Sequence, residues 1–290
     1  YNDADTTISA IKRLKNCESL DKIVVVDNAS SDNSYERLKA YESEKVALIK
    51  AKENLGYGCG NNLGLCYAYK DLAASHALIA NPDTFIEDRV ISKLRKSFDK
   101  IKDLAAAAPV MKLKAKKALS FKESLLNLTL GFPCRSFLKE LMECCPIIRR
   151  LFVNRLHYNK KHYKKNIAFV DALAGSLLMV DIEKILEVGG YDEGVFLYQE
   201  EAILGFKLKQ RGYKTIILTK YSYLHAHSQS INKSFDKTLA RQRLREKSVL
   251  YYFRHYLKVG DLKIAFAKMV FFIIRLEISL FDILSKVCKV

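Results

Sequence analysis

Lys22-Ile-Val-Val-Val-Asp27, running straight into Asn28-Ala-Ser-Ser-Asp-Asn-Ser34, decides how this chain is read. A continuous β-branched run suits a strand buried on both faces. The segment after it is dense in residues that cap helices and close turns. Helical spacing precedes it, with Ile8, Ile11 and Leu14 on one face of residues 6–16, and a helix is expected over 35–41. Further short strands read at 46–50 and 75–80, the latter ending in Asn81-Pro-Asp83. Strands alternating with helices predict an α/β fold with a mostly parallel sheet. Ligands sit at the carboxyl ends of strands in such sheets, which makes Asp27 and Asp83 candidates on position alone.

Between the second and third strands lies Glu53-Asn-Leu-Gly-Tyr-Gly-Cys-Gly-Asn-Asn-Leu-Gly64. Its alternating glycines let backbone approach a ligand, and its asparagines supply donors and acceptors. As a phosphate loop it is a weak match, with no Gly-Lys-Ser/Thr ending and not the dinucleotide spacing, and a plain glycine-rich turn before a helix reads equally well. Later come Asp171-Ala-Leu-Ala-Gly-Ser176, Gly189-Gly-Tyr-Asp-Glu193 and Phe196-Leu-Tyr-Gln-Glu-Glu201, the last opening an amphipathic helix that stops at Gly212. Paired acids at a helix start also have a purely structural use, complementing the helix dipole. A strand at 215–218 is followed by His225 and His227, which face the same side at i, i+2, so that either can reach a metal.

The chain has 290 residues, 49% hydrophobic, and a net charge of +17. Residues 111–166 hold 14 Lys and Arg against 3 Asp and Glu, so most of the excess sits in one block. That block (112–166) reads as an insertion of basic amphipathic helices. It is either a solvated surface or a dock for an anionic membrane. No helix-turn-helix, zinc or RNA-binding signature accompanies the charge, so no specific nucleic-acid partner is expected. Seven scattered cysteines without a CxxC pair indicate neither a disulfide framework nor a zinc site, and fit a reducing, cytosolic setting. Residues 264–287 are rich in Phe, Ile and Leu, but Lys268, Arg275, Glu277 and Asp282 interrupt them. That pattern suits an amphipathic helix on a membrane surface or on the protein's own core, not a spanning helix.

Taken in order, these segments resemble the family 2 glycosyltransferases. Val26-Asp-Asn-Ala-Ser-Ser-Asp32 is similar to the family's V-D-N-x-S-x-D turn, and Asn54 to Asn62 to its N-x-G-[FY]-[AG]-x-[AG]-N-N segment. Asn81-Pro-Asp83 resembles its D-x-D element in the N-P-D form of a rhamnosyl- and galactosyl-type branch. The 189–201 stretch is similar to G-G-[FY]-D-E-x-[FV]-F-x-Y-x-E-[DE]. The resemblance covers residues 1 to about 232 and implies a GT-A fold carrying the basic insertion. A C-terminal amphipathic helical region is expected over 233–290.

The resemblance also implies an inverting sugar transfer from a nucleotide-diphosphate sugar to a glycan or lipid-linked acceptor. The setting expected is cell-surface polysaccharide synthesis, peripheral to the inner face of the plasma membrane. It gives Glu201 the base, with Glu200 orienting. Asp27, Asn28, Ser30, Asp32, Asn54, Gly56, Gly58, Asn61, Asn62, Asn81 and Asp83 fall on the donor side, and Asp171, Gly175 and Ser176 on the acceptor side. Asp83, with His227 or His225, is expected to hold Mg²⁺ or Mn²⁺.

Three departures stand out. Asn81 replaces the first Asp of D-x-D, and Ile203 stands where another Asp is common. Tyr1-Asn2 resemble the tail of the family's first strand, so that strand is expected to be missing here, with weakened stability and nucleotide binding. Two other readings compete: a nucleotidyltransferase, and a non-catalytic basic docking protein on a transferase fold.

Overall fold

A computed structural model describes residues 1–113, 130–226 and 238–287, with side chains described to 280. The helices are α1 (Ala4–Leu14), α2 (Ser34–Lys39), α3 (Tyr57–Lys70), α4 (Asp88–Lys100), α5 (Phe137–Cys144), α6 (Pro146–Leu151) and α7 (Val153–Leu156). After a 3-10 turn at Lys160–Tyr163 come α8 (Ile182–Glu187), α9 (Glu200–Gln210), α10 (Thr238–His255) and α11 (Asp261–Val287). The strands are β1 (Ile23–Asp27), β2 (Val46–Lys50), β3 (His76–Ala80), β4 (Thr84–Phe85), β5 (Leu104–Leu113), β6 (Ile167–Val170), β7 (Leu177–Asp181) and β8 (Lys214–His225).

The sheet is mixed rather than mostly parallel. β1 pairs with β2 in parallel, as a separate two-stranded unit. The larger sheet runs β3-β7-β5-β8-β4, with β6 also on β8. β3, β5 and β8 share a direction, while β7, β4 and β6 run against them. β7 follows the long excursion after β5 and enters between β3 and β5 from the opposite end, so its pairs are antiparallel. β1 is half-buried along four of its five residues, not buried on both faces as its composition predicts. Among the described residues, no strand pairs with its second edge. α3 packs on both β1 and β3 and ties the two sheets together.

The main core lies where α3, α8 and α9 pack on the large sheet, with Leu65, Val180, Ile182, Ile185, Tyr191, Leu204 and Ile217 buried together. A second core joins the insertion to the C-terminal helices. Leu141 and Cys144 of α5 meet Val249, Tyr252 and Phe253 of α10, Ile264 and Phe271 of α11, and Ile203 of α9. Ile203, where an acid is common in the family pattern, is fully buried there. The basic block is thus partly a packed helical lobe and not only a solvated loop. Its leucine patch at 125–128 lies outside the described residues. No helix among the described residues is long and apolar enough to cross a membrane.

Candidate functional site

The turn after β1 is built around Asp27, which is buried. Its carboxylate accepts the Ser30 hydroxyl at 2.5 Å and the Ser30 amide at 3.0 Å, while Ala29 adopts φ +56°. Asn2 donates its backbone N–H to Ser30 Oγ at 2.9 Å and accepts the Ser31 amide at 2.9 Å, so the start of the chain fastens this turn. Asn28 Nδ2 donates to Asn54 Oδ1 and to the Gly56 carbonyl, both at 3.0 Å. Gly56 sits at φ +105°, and a Cβ there would overlap the Phe196 carbonyl, the same oxygen that accepts the Tyr57 amide at 3.1 Å. Only glycine meets both demands. The glycine-rich loop and the acidic stretch are therefore locked together, and Gly58 and Gly60 fall inside the first turn of α3.

Tyr57 carries the contact inward: its hydroxyl donates to the Gly175 carbonyl at 2.5 Å. Burial pushes its ionisation well above the ordinary tyrosine range. The Gly175 amide in turn donates to Glu201 Oε1 at 3.1 Å, and a Cβ on Gly175 would stand 2.6 Å from that oxygen. Next along the chain, the Ser176 carbonyl accepts the Asn81 amide at 2.8 Å, and its hydroxyl meets the Tyr223 hydroxyl at 2.7 Å. Burial pushes Tyr223 up to about 12, with the charges of Asp83 and Glu201 adding. Asp83 Oδ1 lies 3.2 Å from His225 Nε2, whose other ring nitrogen faces Met111 Sδ at 3.4 Å.

A continuous chain of contacts thus runs from Asp27 through Asn28, Gly56, Tyr57 and Gly175 to Glu201, and through Ser176 and Asn81 to Asp83 and His225. Five of the seven buried polar atoms without a partner among the described residues belong to these motifs: Asn28 Oδ1, Asn61 Nδ2, Tyr191 Oη, Gln199 Oε1 and Glu200 Oε2. Orphaned polar atoms are rare in native interiors, so each of these five is a candidate for a polar partner.

Glu200 is buried and Glu201 half-buried at the start of α9. Burial raises both, and the charge of Glu201 raises Glu200 further. Glu201 has the Gly175 amide to stabilise its anion, whereas Glu200 Oε2 has nothing. Of the two, Glu201 is the better placed to carry a charge and Glu200 to keep a proton.

Other expected residues have structural partners. Asn62 clamps Tyr191, donating to its carbonyl at 2.9 Å and accepting its amide at 2.8 Å. Asp32 is exposed at the head of α2, where hydrogen bonding from Ser34, its side chain first and then its amide at 2.9 Å, holds the carboxyl pKa down. Asp171 is taken up by Lys209 and by the Cys134 amide, both at 2.8 Å. His227 lies outside the described residues. Tyr57, Tyr223 and Met111 have contact roles that sequence reasoning did not assign. Tyr57 stood inside a quoted motif, but its reach to Gly175, 118 positions away, is a tertiary fact. Among the described residues no cluster of three or more His, Cys, Asp or Glu can hold a metal. Asp83 and His225 offer one oxygen and one nitrogen, which fits a hard cation completed by diphosphate oxygens and water.

This architecture is the GT-A fold of nucleotide-diphospho-sugar transferases. The chain belongs to glycosyl transferase family 2, whose family model matches residues 1–156. Among solved structures, it is similar to the mannosyltransferase PcManGT from Pyrobaculum calidifontis in complex with GDP-Man and Mn²⁺ (TM-score 0.55, 15% identity, 90% of this chain and 63% of that one). It is also similar to GalNAc-T7 with UDP, GalNAc and Mn²⁺ (TM-score 0.55, 15% identity, 77% of this chain and 41% of that one). The chain spans less than two thirds of the length of either. No curated protein matches it.

Proposed function

We propose that this protein transfers a sugar, with inversion, from a nucleotide-diphosphate sugar to an acceptor hydroxyl. Glu201 removes the hydroxyl proton as the new glycosidic bond forms; the bond from the anomeric carbon to the diphosphate breaks, and the nucleoside diphosphate leaves with its electron pair. The observation that supports this best is the Glu200–Glu201 pair, its charge placed on Glu201 by the Gly175 amide, linked through Ser176 and Asn81 to Asp83.

Asp83 with His225 would hold Mg²⁺ or Mn²⁺, which supplies charge neutralisation at the departing diphosphate. Asp27, Asn28 and Ser30 form the nucleotide side, with Asn54, Gly56 and Asn61 closing over it. Gly175 and Ser176 border the sugar and acceptor side, which Asp171 supports through Lys209. The acceptor is a glycan or lipid-linked intermediate of surface polysaccharide synthesis, met at the inner face of a membrane. GDP-mannose, UDP and Mn²⁺ in the two similar structures suit the donor and cation classes. A nucleotidyltransferase is not favoured by the family membership.

The test is nucleoside diphosphate release across a panel of nucleotide-sugars with Mn²⁺, Mg²⁺ or EDTA. Release from one donor, abolished by EDTA, is expected; pyrophosphate release instead would point to nucleotidyl transfer. Glu201→Gln should lower turnover by roughly 10²–10⁴-fold with donor binding intact. Unchanged turnover would remove Glu201 from the role of base.

A further inference from the structure

β5 and β8 run side by side in parallel, with Met111 in register with Tyr223 and Leu113 with His225. Side chains two residues apart on a strand share a face, so Tyr223 and His225 point the same way. Met111 packs in one cluster with Tyr223 and reaches His225 as well. All three are buried, and so is Ser176 at the approach to β7.

Met111 Sδ lies 3.4 Å from Ser176 Oγ and 3.4 Å from His225 Nδ1. A thioether has no proton to give and can only accept, weakly. Both contacts are therefore hydrogen bonds only if the hydroxyl and the ring donate. With the Ser176 proton committed to sulphur, the 2.7 Å contact between Ser176 and Tyr223 has the tyrosine as donor. With a proton on His225 Nδ1, the neutral ring keeps a lone pair on Nε2. That nitrogen stands 3.2 Å from Asp83 Oδ1. A lone pair and a carboxylate repel, and a cation shared between them turns the repulsion into attraction. Two ligands at ~2.1 Å from an octahedral cation, at right angles to each other, are about 3 Å apart. The Asp83–His225 spacing matches two neighbouring corners of such a site.

We propose that Met111 is a positioning residue of the candidate metal site: its thioether holds the His225 proton on Nδ1, so that Nε2 presents its lone pair to a divalent cation beside Asp83. The inference rests on the reading of Asp83 and His225 as cation ligands and adds the group that orients one of them. In metal sites the far ring nitrogen usually donates to a carboxylate, a carbonyl or water. Sulphur does the same here without adding charge, and a soft thioether does not compete for Mg²⁺ or Mn²⁺. The same sulphur fastens Ser176, whose carbonyl accepts the Asn81 amide at 2.8 Å, so the cation side and the acceptor side share one buried acceptor. Methionine also serves as a plain gap-filler in cores, a use that leucine would meet equally well.

The test is Mn²⁺ titration with UDP or GDP present, followed by water-proton relaxation. Met111→Leu keeps the volume, removes the acceptor and should leave the unfolding temperature of the cation-free protein nearly unchanged. Its Mn²⁺ affinity should fall about tenfold, the lower end of the 10–100-fold typical when a ligand loses its outer partner, because a thioether is a weak acceptor. In a His225→Ala background, which itself binds Mn²⁺ more weakly, the same change should have no further effect, its route to the cation being gone. Met179→Leu removes a buried thioether elsewhere in the core and should change nothing. Affinity indifferent to Met111→Leu would overturn the proposal. So would an equal loss in the His225→Ala background, which would make Met111 a packing residue only. A parent that binds no Mn²⁺, or a His225→Ala variant that binds it as tightly as the parent, would overturn it without any change at Met111. Mn²⁺ binding that responds to Met111→Leu, with no nucleoside diphosphate released from any donor, would refute the reaction and leave this role standing. Release abolished by EDTA, with Mn²⁺ affinity indifferent to Met111→Leu, would do the reverse.

Discussion

At the residue scale, Glu200 is the informative side chain, because its environment is costly in a way that pH can reveal. Its carboxyl is buried, one oxygen has no partner, and both burial and Glu201 push its pKa well up. An acid whose folded pKa is raised favours folding fully below the ordinary carboxylate pKa. That contribution is lost as pH rises through the raised value. Glu200→Gln removes the titration. The variant should therefore gain stability relative to the parent between pH 4 and pH 8, by ~1 kcal/mol or more, since each tenfold weakening of the acid on folding costs about 1.4 kcal/mol. Chemical denaturation at both pH values checks this, and a constant difference would mean Glu200 is not raised. The rising limb of the activity profile should stay in place, because a protonated Glu200 and a glutamine are both uncharged beside Glu201 as it ionises. The two acids and their place at a helix start were legible in the sequence. The proton's location was not, because it depends on a Gly175 amide that reaches Glu201 from 26 positions away.

At the element scale, α5 governs how α9 begins. Tyr198 and Gln199 both adopt positive φ, 72° and 71°, an uncommon conformation for residues with side chains. Gln199 Nε2 donates to Glu140 Oε1 at 2.8 Å, and Glu140 is held from behind by Arg135 Nη1 at 3.2 Å. Arg135 also donates to the Leu156 carbonyl and lies beside Glu143 and His157, so one buried cation organises the lobe. Arg135→Met leaves two buried carboxylates without it and should cost about 3–5 kcal/mol, read by denaturant unfolding. Turnover should fall in the surviving folded protein, because the turn that presents Glu200 and Glu201 loses its strut; an unchanged kcat would confine Arg135 to stability. Counting charge located the basic block but could not see this. Composition gives the sign of a segment, whereas Arg135, Glu140, Glu143 and His157 differ from their neighbours only in which way they point.

On the scale of the whole molecule, alternating strands and helices made the α/β class and the segments of the candidate site legible, since local periodicity and turn chemistry reflect each element's own surroundings. Strand order and the reversed course of β7 were not, because they depend on partners far apart in the chain. The place of the C-terminal helices is the same kind of fact. The boundary expected near residue 232 falls between β8 and α10, yet side chains pack across it: Val195 and Ile203 share a core with Val249, Tyr252, Phe253 and Phe271. The Ser248 hydroxyl donates to the Leu197 carbonyl at 2.8 Å, within the acidic stretch itself. Removing residues 238–290 would therefore expose apolar groups worth roughly 1.5–3 kcal/mol per side chain, against a typical total stability of about 5–15 kcal/mol. The shortened protein is expected to unfold at markedly lower temperature and to lose nucleoside diphosphate release even with a water-soluble acceptor. A helical appendage serving only the membrane would behave otherwise, with vesicle binding lost while cooperative unfolding and soluble turnover persist. Measuring unfolding and soluble turnover on the same shortened chain separates the two cases, because the stripe of α11 that packs with Val249 and Phe253 belongs to the fold.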